Sequence, residues 1–160
     1  MEFTWTADQK AFRQEIREFL HQELTPRLRA SDDGISKEFS MKLGQKGWIG
    51  LPWPKEYGGQ GLGHMERLIY SEEMHLQGAP IGFHHIAERQ MGPSIIMVGT
   101  DEQRAEFLPR ISRGELSVAI GYSEPDTGSD LAGVKTRAVR DGDDYVINGA
   151  KIWNNAANSD

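Results

Sequence analysis

The sequence predicts an α+β protein: an all-α helical domain at residues 1–114, followed by the beginning of an antiparallel β domain at residues 115–160. Two observations carry this prediction. Up to Gly114, apolar residues recur at intervals of three and four, the period of an amphipathic helix. After Gly114, apolar and polar residues alternate, and turn-forming pairs separate the alternating segments, as in short antiparallel strands.

The first helix is predicted from a capping box and one apolar stripe. Thr6 and Gln9 have the spacing in which each side chain accepts a hydrogen bond from the other residue's backbone amide. The stripe ends before Thr25-Pro26, because proline interrupts a helix. Its members are Phe12, Ile16, Phe19 and Leu20.

The second and third helices are marked by apolar stripes that end at glycine. Phe39 and Leu43 stand one helical turn apart, and Gly47 closes that segment. The third stripe ends at Gly78-Ala79-Pro80, a combination that stops a helix. Its members are Met65, Leu68, Ile69 and Leu76.

The fourth and fifth helices both contain a proline. The fourth is predicted over about residues 86–98, with Gly92-Pro93 either straining it or setting its start. The fifth opens on a second capping box, Thr100 with Gln103. Pro109 lies inside it, so we expect a kink or an early end. The fifth stripe consists of Phe107, Leu108 and Ile111.

The strands are predicted from apolar runs and turn signals. Residues 116–122 form a short apolar run suited to a buried strand. Residues 134–140 and 145–147 flank Asp141-Gly142, which is a strong hairpin signal. Asn148-Gly149 provides a second tight turn.

That second turn leads into a further short strand at residues 151–153, so the predicted sheet is unfinished at Asp160. An exposed, unpaired sheet edge invites aggregation, and proteins avoid it. We therefore expect these residues to be part of a longer protein.

Composition excludes several classes of protein. The net charge of −6 argues against nucleic acid or an anionic membrane as the main partner. With no cysteine, there is no disulfide framework, no thiolate metal site and no thiol nucleophile. The first residues lack the pattern of a signal peptide, and no apolar run approaches the length of a membrane span. A cytoplasmic location is expected.

Four motif candidates favour structural interpretations. The glycine-rich residues 50–63 match no nucleotide-binding pattern and are expected to connect two helices. His84 and Glu88 could share a helix face as metal ligands, but two ligands without a third are weak evidence, so we expect ordinary polar residues. Glu72 and Glu73 are expected to form a solvated edge. Ser123 does not stand in the Gly-x-Ser-x-Gly motif of serine hydrolases, so it is not expected to be a nucleophile.

The loop at residues 121–133 has two open interpretations. It is rich in hydroxyls and in glycines that let a ligand approach the backbone closely. Successive backbone amides in such a loop can bind an anion, so the loop is a candidate cradle for a polar ligand or a phosphate. A capped turn between strands explains it equally well. The hydroxyls belong to Ser123, Thr127 and Ser129, and the glycines are Gly121, Gly128 and Gly133.

Three motifs in succession resemble the acyl-CoA dehydrogenase family. They are Gly-Trp-Ile-Gly-Leu-Pro-Trp-Pro-Lys-Glu-Tyr-Gly-Gly-Gln-Gly-Leu at residues 47–62, Ser-Glu-Pro-Asp-Thr-Gly-Ser-Asp at 123–130, and the segment 134–153. The resemblance covers essentially the whole chain in the family's order, with an amino-terminal helical domain before the start of a middle β domain. It implies an oxidoreductase with FAD as cofactor, which converts an acyl-CoA thioester to the 2,3-enoyl-CoA in fatty acid metabolism.

The resemblance also implies site residues. The loop from Ile120 to Ser129 is expected along the FAD, with Ser123 near the pyrimidine end of the flavin and Ser129 touching both FAD and the acyl-CoA substrate. Trp153 to Asn155 are expected beside the flavin ring. The full set of expected cofactor-binding residues is Ile120, Gly121, Tyr122, Ser123, Gly128, Ser129, Trp153, Asn154 and Asn155.

The sequence departs from the family's pattern in two places. Asp126-Thr127 replaces a small Gly-Ala pair, which implies a different local backbone or substrate mouth. Asn155 stands where a flavin-facing hydroxyl is usual, and its amide can still donate a hydrogen bond. The family's catalytic glutamate belongs to a carboxy-terminal helical domain. We therefore expect the base beyond residue 160 and assign no catalytic role to Glu124 or Glu73.

The resemblance further implies an electron-transfer flavoprotein or another acceptor as partner, and a homo-oligomer, either a tetramer or a dimer. Two alternatives remain at this point. One is an acyl-CoA oxidase or flavin monooxygenase of the same fold, and the other is a non-catalytic subunit or interaction module. We expect residues 1–160 alone to be inactive.

Overall fold

A computed structural model of the chain describes residues 4–29 and 34–154. These residues form two compact units, one ending at Val118 and the other beginning at Ala119. The first unit is helical and the second contains a two-stranded antiparallel sheet, so the predicted α+β class is confirmed. The helices are α1 Ala7–Glu23, α2 Pro26–Arg29, α3 Lys37–Gln45, α4 His64–Leu76, α5 Gly82–Ile86, α6 Gly92–Val98 and α7 Asp101–Ser112, and the strands are β1 Arg137–Asp141 and β2 Asp144–Asn148.

Both predicted capping boxes form. At α1, the Gln9 amide donates to Thr6 Oγ1 at 3.2 Å, and the Thr6 amide donates to Gln9 Oε1 at 3.1 Å. At α7, Thr100 and Gln103 make the same reciprocal pair. These bonds satisfy amides that the first turn of a helix leaves without a partner, and they fix where the two helices begin.

The fourth predicted helix is longer than expected and contains a π turn. Helical structure begins at Gly82 rather than near residue 86, and a π segment at Ala87–Met91 joins α5 to α6. Pro93 cannot donate a backbone hydrogen bond, and a local change of helical pitch next to it absorbs that loss. Gly92 lies against the Trp53 ring with no room for a side chain.

Pro109 does not end α7 early. The helix continues to Ser112, and the Arg113 amide donates to the Pro109 carbonyl at 3.2 Å. Leu108 and Ile111 on this helix are completely buried. Their burial stabilises the turn around Pro109 and outweighs the missing backbone bond.

Two of the predicted strands are wrong. Residues 116–122 and 151–153 form no strand among the described residues. Leu116 is buried in the helical core, so the apolar character of the first segment reflects packing rather than sheet formation. The hairpin is right: Asp141 pairs with Asp144 around a two-residue turn, and Gly142 has the positive φ of 63° that such a turn requires.

His84 is one of the polar side chains buried in the helical unit. His84 Nδ1 lies 2.8 Å from Ser40 Oγ, and His84 Nε2 lies 3.4 Å from the Tyr70 hydroxyl. His84 is 1% exposed, and burial, followed by the charge of His85, lowers its pKa to about 3. The imidazole is therefore neutral in the folded protein at physiological pH.

Because His84 is buried in its neutral form, we expect the folded protein to lose stability already at pH values above those at which ordinary carboxylates are protonated. The unfolded chain protonates His84 below its ordinary pKa of 6.5, whereas the folded chain does so only near pH 3. Above pH 6.5, protonation of His84 therefore does not reduce the free energy of unfolding. As the pH drops from 6.5 toward 3, this free energy falls by up to about 1.4 kcal/mol per pH unit. Urea unfolding measured from pH 7 to pH 5 checks this dependence.

The His84→Gln variant isolates the effect, since glutamine does not titrate. We expect its free energy of unfolding to be lower at pH 7 and flatter toward pH 5 than that of the wild type. His21→Gln, on the exposed side of α1, serves as the control and should keep the wild-type slope. Equal slopes for the wild type and His84→Gln would contradict the assignment of a buried neutral His84.

The interpretation of Glu73 as part of a solvated edge is wrong. Glu73 is 1% exposed, and its carboxylate accepts hydrogen bonds from Arg13 Nη1 at 2.6 Å and from Arg17 Nε at 2.9 Å. Its neighbour Glu72 is half-exposed and pairs with Arg13. The two arginines lie on α1, so this ion-pair cluster connects α1 to α4.

No helix in the described ranges, residues 4–29 and 34–154, is long and apolar enough to cross a membrane.

Candidate functional site

A tight turn at residues 124–127 shapes the hydroxyl-rich loop. The Glu124 amide donates to the Thr127 carbonyl at 2.8 Å, and the Thr127 amide donates to the Glu124 carbonyl at 3.1 Å. Pro125 follows Glu124 and presets the φ that such a turn requires. The Thr127 hydroxyl then donates to the Gly133 carbonyl at 3.3 Å. The loop is therefore an ordered structure held by its own backbone.

The Glu124 carboxylate lies at the centre of this region. It is 7% exposed and accepts hydrogen bonds from the backbone amides of Lys135 at 2.7 Å and Thr136 at 2.8 Å. The Lys151 ammonium donates to the same carboxylate at 3.0 Å. Glu124 thus joins three segments of the second unit, namely the loop, the start of the hairpin, and the segment after β2.

These contacts favour the charged carboxylate. Hydrogen bonding to the Thr136 side chain, to the backbone amides of Lys135 and Thr136 and to the Lys151 ammonium lowers the pKa of Glu124 to about 2. Thr136 Oγ1 itself is buried without a partner of good hydrogen-bond geometry, so the two amides and the ammonium are the well-defined contacts. Glu124 remains ionised at every pH at which the folded protein would work.

The loop runs beside the segment that carries Trp153. The Ile152 amide donates to the Ser123 carbonyl at 3.0 Å, and Lys151 Nζ donates to the Tyr122 carbonyl at 3.0 Å. Ser123 and Trp153 are 30 positions apart in the sequence. They therefore lie on two neighbouring chain segments that are joined by hydrogen bonds. Together they form one wall of a candidate site.

Trp153 has an unusual backbone conformation and an exposed ring. Its φ is 57°, the only positive φ at a non-glycine residue in the described part of the chain, and the residue is 89% exposed. A left-handed conformation costs a residue with a side chain about 1–2 kcal/mol. Strain of this kind concentrates at functional sites, where the surrounding structure maintains it.

The other residues implied by the resemblance occupy different positions on this unit. Gly128 and Ser129 follow the turn and are exposed, whereas Ile152 and Lys151 bond to the loop before the turn. The structure therefore places Tyr122 and Ser123 next to the Trp153 segment. The hydrogen bonds of Lys151 and Ile152 to the loop do not involve Gly128 or Ser129. Ile120 is half-buried, while Gly121 and Asn154 are exposed; Asn155 lies outside the described residues.

Sequence reasoning missed the residues that organise this site. The partners of Glu124 are 11, 12 and 27 positions away, so no local pattern reveals them. One signal was available: an acidic residue next to a proline turn, followed by a strand whose first amides need acceptors. This signal indicates a structural carboxylate at Glu124.

By their spacing, His84 and Glu88 are candidate metal ligands on a shared helix face. In the structure the two ring nitrogens of His84 face Ser40 Oγ at 2.8 Å and the Tyr70 hydroxyl at 3.4 Å. The described residues contain no cluster of three or more metal-ligating side chains. Both residues are buried, as ordinary core polar residues are.

A cavity of about 490 Å³ in the helical unit is a separate feature. Trp53 and three prolines form much of its wall, and Glu88 lines it with its carboxylate 3.8 Å from Arg67 Nε. Burial raises the pKa of Glu88. Among the described residues that the resemblance implies for binding the cofactor or the substrate, none lines this cavity.

The sequence of the helical unit matches the family described as "Acyl-CoA dehydrogenase, N-terminal domain" at residues 6–115. Residues 119–160 match "Acyl-CoA dehydrogenase, middle domain". The chain belongs to the acyl-CoA dehydrogenase family. The glycine-rich connection, the turn at residues 124–127 and the Trp153 segment are therefore parts of one family fold.

Three relatives illustrate the match. Acyl-CoA dehydrogenase FadE26 of Mycobacterium tuberculosis is 43% identical over 162 residues, which cover 96% of this chain and 40% of the relative. The ChsE4–ChsE5 complex of the same organism is similar with a TM-score of 0.86 and 44% identity, over 96% of this chain and 40% of that one. A glutaryl-CoA dehydrogenase of Mycobacterium smegmatis in complex with FADH2 has a TM-score of 0.84 at 27% identity, over 98% and 41%.

The chain thus spans about 40% of the length of these relatives. One of the three solved or curated relatives is a complex and another contains a reduced flavin.

Proposed function

We propose that the protein to which these residues belong is an FAD-dependent acyl-CoA dehydrogenase that oxidises an acyl-CoA thioester to the 2,3-enoyl-CoA. The observation that carries the proposal is the wall formed by the Ser123 loop and the Trp153 segment, joined by the Ile152 amide. Membership of the family supplies the reaction class.

The residues of this wall suit a flavin. Trp153 presents an exposed indole that can cover an aromatic ring system and shield it from water. Around Gly128 there is open space, so a phosphate or ring edge can approach the backbone closely. Ser123 and Ser129 supply hydroxyl donors. When bound, FAD would supply the acceptor for the hydride equivalent that leaves the β-carbon of the substrate.

The roles proposed for the chain's own residues follow from this arrangement. Trp153 excludes water from one face of the site, and the Asn154 and Asn155 amides can donate hydrogen bonds toward the ring edge. Ser123 orients the pyrimidine end, and Ser129 contacts both FAD and the acyl-CoA. Fixed donors of this kind stabilise negative charge that develops during reduction, without reorganising.

The partners of the complete protein are also proposals. We propose an electron-transfer flavoprotein or another acceptor for reoxidation, and a homo-oligomer as the working assembly. The complex among the structural relatives supports assembly in this family. We further propose that the catalytic base comes from outside residues 1–160, and that the protein works in the cytoplasm.

Replacing Trp153 by alanine tests the placement of the flavin. We expect the Kd for FAD to rise roughly tenfold, because stacking of an aromatic base or ring on a side chain contributes about 1–3 kcal/mol. Fluorescence titration of the apoprotein of the complete gene product with FAD measures this Kd. Trp153→Phe, which retains an aromatic face, should recover most of the affinity.

Tyr145→Ala provides the matched control. Tyr145 is a second exposed aromatic residue in the same unit, on β2, at 63% exposure. It should leave the Kd for FAD unchanged. An unaltered Kd in Trp153→Ala, or an equal loss in Tyr145→Ala, would remove the support for the flavin at this wall.

A further inference from the structure

We propose that Glu124 is the positioning residue of this site: its buried carboxylate clamps the Ser123 loop and the Trp153 segment onto the start of the hairpin. The inference deepens the proposed function and rests on it for its consequence in catalysis. Its structural part rests on geometry within the second unit alone.

The clamp depends on where the three contacts originate. Lys135 and Thr136 lie at the entry to β1, immediately before Arg137, and both of their amides point at one carboxylate. Lys151 lies three residues beyond β2 and reaches the same carboxylate from the other end of the hairpin. Glu124 therefore receives bonds from both ends of a structure that is otherwise fully exposed.

The contacts of Glu124 hold the two chain ends of the hairpin together. Within the described residues, β1 and β2 bury no apolar face of their own. Two short charge-assisted bonds from backbone amides, plus an ammonium, are stronger than neutral hydrogen bonds and fix the direction of both chain ends.

Lys151 transmits this position to the loop. Its ammonium also donates to the Tyr122 carbonyl at 3.0 Å, and the next residue, Ile152, bonds to the Ser123 carbonyl. Without the carboxylate, the Lys151 ammonium would keep only its bond to the Tyr122 carbonyl. The backbone amides of Lys135 and Thr136 would lose their acceptor. The register of Ile152 on Ser123, and with it the strained conformation of Trp153, would then lose its support.

Asp126 provides a matched comparison within the same loop. It lies two residues from Glu124, carries the same charge and pairs with Lys135 Nζ at 3.2 Å. Both side chains of that ion pair are more than 70% exposed, so the interaction is weak. Charge alone thus does not distinguish the two positions; burial and the amide bonds do.

Amide hydrogen exchange of the complete gene product, without cofactor, tests the clamp. In Glu124→Ala we expect the amides of Lys135, Thr136 and Ile152 to exchange together at least tenfold faster. Ile152 is the informative one, because it does not bond to Glu124. In Glu124→Gln, which keeps one acceptor oxygen and loses the charge, the acceleration should be smaller. Asp126→Ala should exchange like the wild type.

The helical unit reports whether the variants fold. The α1 amides of Ile16 and Leu20 should keep their wild-type protection from exchange. If these amides lose protection in Glu124→Ala, that variant is unfolded, and the exchange rate of Ile152 in Glu124→Gln then tests the clamp. Unchanged exchange at Ile152 in the folded variant would overturn the inference, since Glu124 would then serve only its direct partners.

A second readout separates this inference from the proposed function. If the wild type binds FAD and oxidises acyl-CoA, Glu124→Ala should change the absorption spectrum of the bound flavin and lower kcat by at least tenfold, with the KM for acyl-CoA changed far less. A wild-type flavin spectrum and wild-type kcat in this variant would overturn the role in catalysis. If the wild type binds no FAD, the proposed function fails, while the exchange data still decide the clamp.

Discussion

A polypeptide of residues 1–160 alone is expected to show no conversion of acyl-CoA to enoyl-CoA, even with FAD in excess. Abstracting the α-proton needs a base within hydrogen-bond reach of the substrate. Glu124, in the loop of the proposed flavin wall, already accepts three hydrogen bonds and has a pKa of about 2, so it is a poor base. Glu73 is held by two arginines in the helical unit.

The assay combines the purified polypeptide with FAD, acyl-CoA esters of several chain lengths and an artificial electron acceptor. The complete gene product, assayed in parallel, is the positive control, and circular dichroism confirms that the helices of the polypeptide have formed. Robust turnover by the polypeptide would show that a carboxylate within residues 1–160 acts as the base.

The Glu73→Ala variant is expected to lose about 3 kcal/mol of unfolding free energy, the cost of removing one partner from a buried ion pair. Arg13 has a side chain that is only 15% exposed and would retain Glu72 alone. Arg17 is half-exposed and can return to water, which keeps the cost near the lower end of the range. Urea unfolding at neutral pH, followed by circular dichroism, measures the loss.

The pKa of Glu73 supports this expectation. Burial by itself would raise the pKa, but the hydrogen bonds from Arg17 and Arg13 outweigh it and lower the pKa below its ordinary value. Glu72→Ala is the matched control, because its carboxylate is half-exposed and contacts the same Arg13. We expect less than about 1 kcal/mol for that exposed pair. Equal losses in the two variants would contradict the central place of Glu73.

The parts of the fold that follow local rules could be predicted from the sequence. The Thr6 and Thr100 capping boxes fix helix starts through bonds between residues three positions apart, and both formed. The hairpin at Gly142 follows in the same way from a turn that needs a positive φ. Apolar stripes located the buried faces of α1 and α7, because a period of 3.6 residues is a local property. The stripe predicted for α4 was wrong: Met65, Leu68 and Leu76 are exposed, and Ile69 is its one buried member.

The parts that depend on distant partners could not be predicted. The apolar run at residues 116–122 is the same whether it packs on helices or pairs as a strand, and only the fold decides between them. Glu73 became a buried residue because two arginines on another helix compensate its charge. The clamp of Glu124 spans as many as 27 positions. The resemblance located the candidate site, while the structure identified what organises it.

The most direct test of the proposed dehydrogenase activity is to identify the product formed by the complete protein. Purified protein is mixed without oxygen with one equivalent of an acyl-CoA, and the thioester is analysed by mass spectrometry while the visible absorption of the bound flavin is recorded. We expect the flavin absorption to bleach as the thioester loses two hydrogens and becomes the 2,3-enoyl-CoA. An unchanged thioester and an unbleached flavin, across a panel of straight, branched and polycyclic acyl-CoA esters, would contradict it.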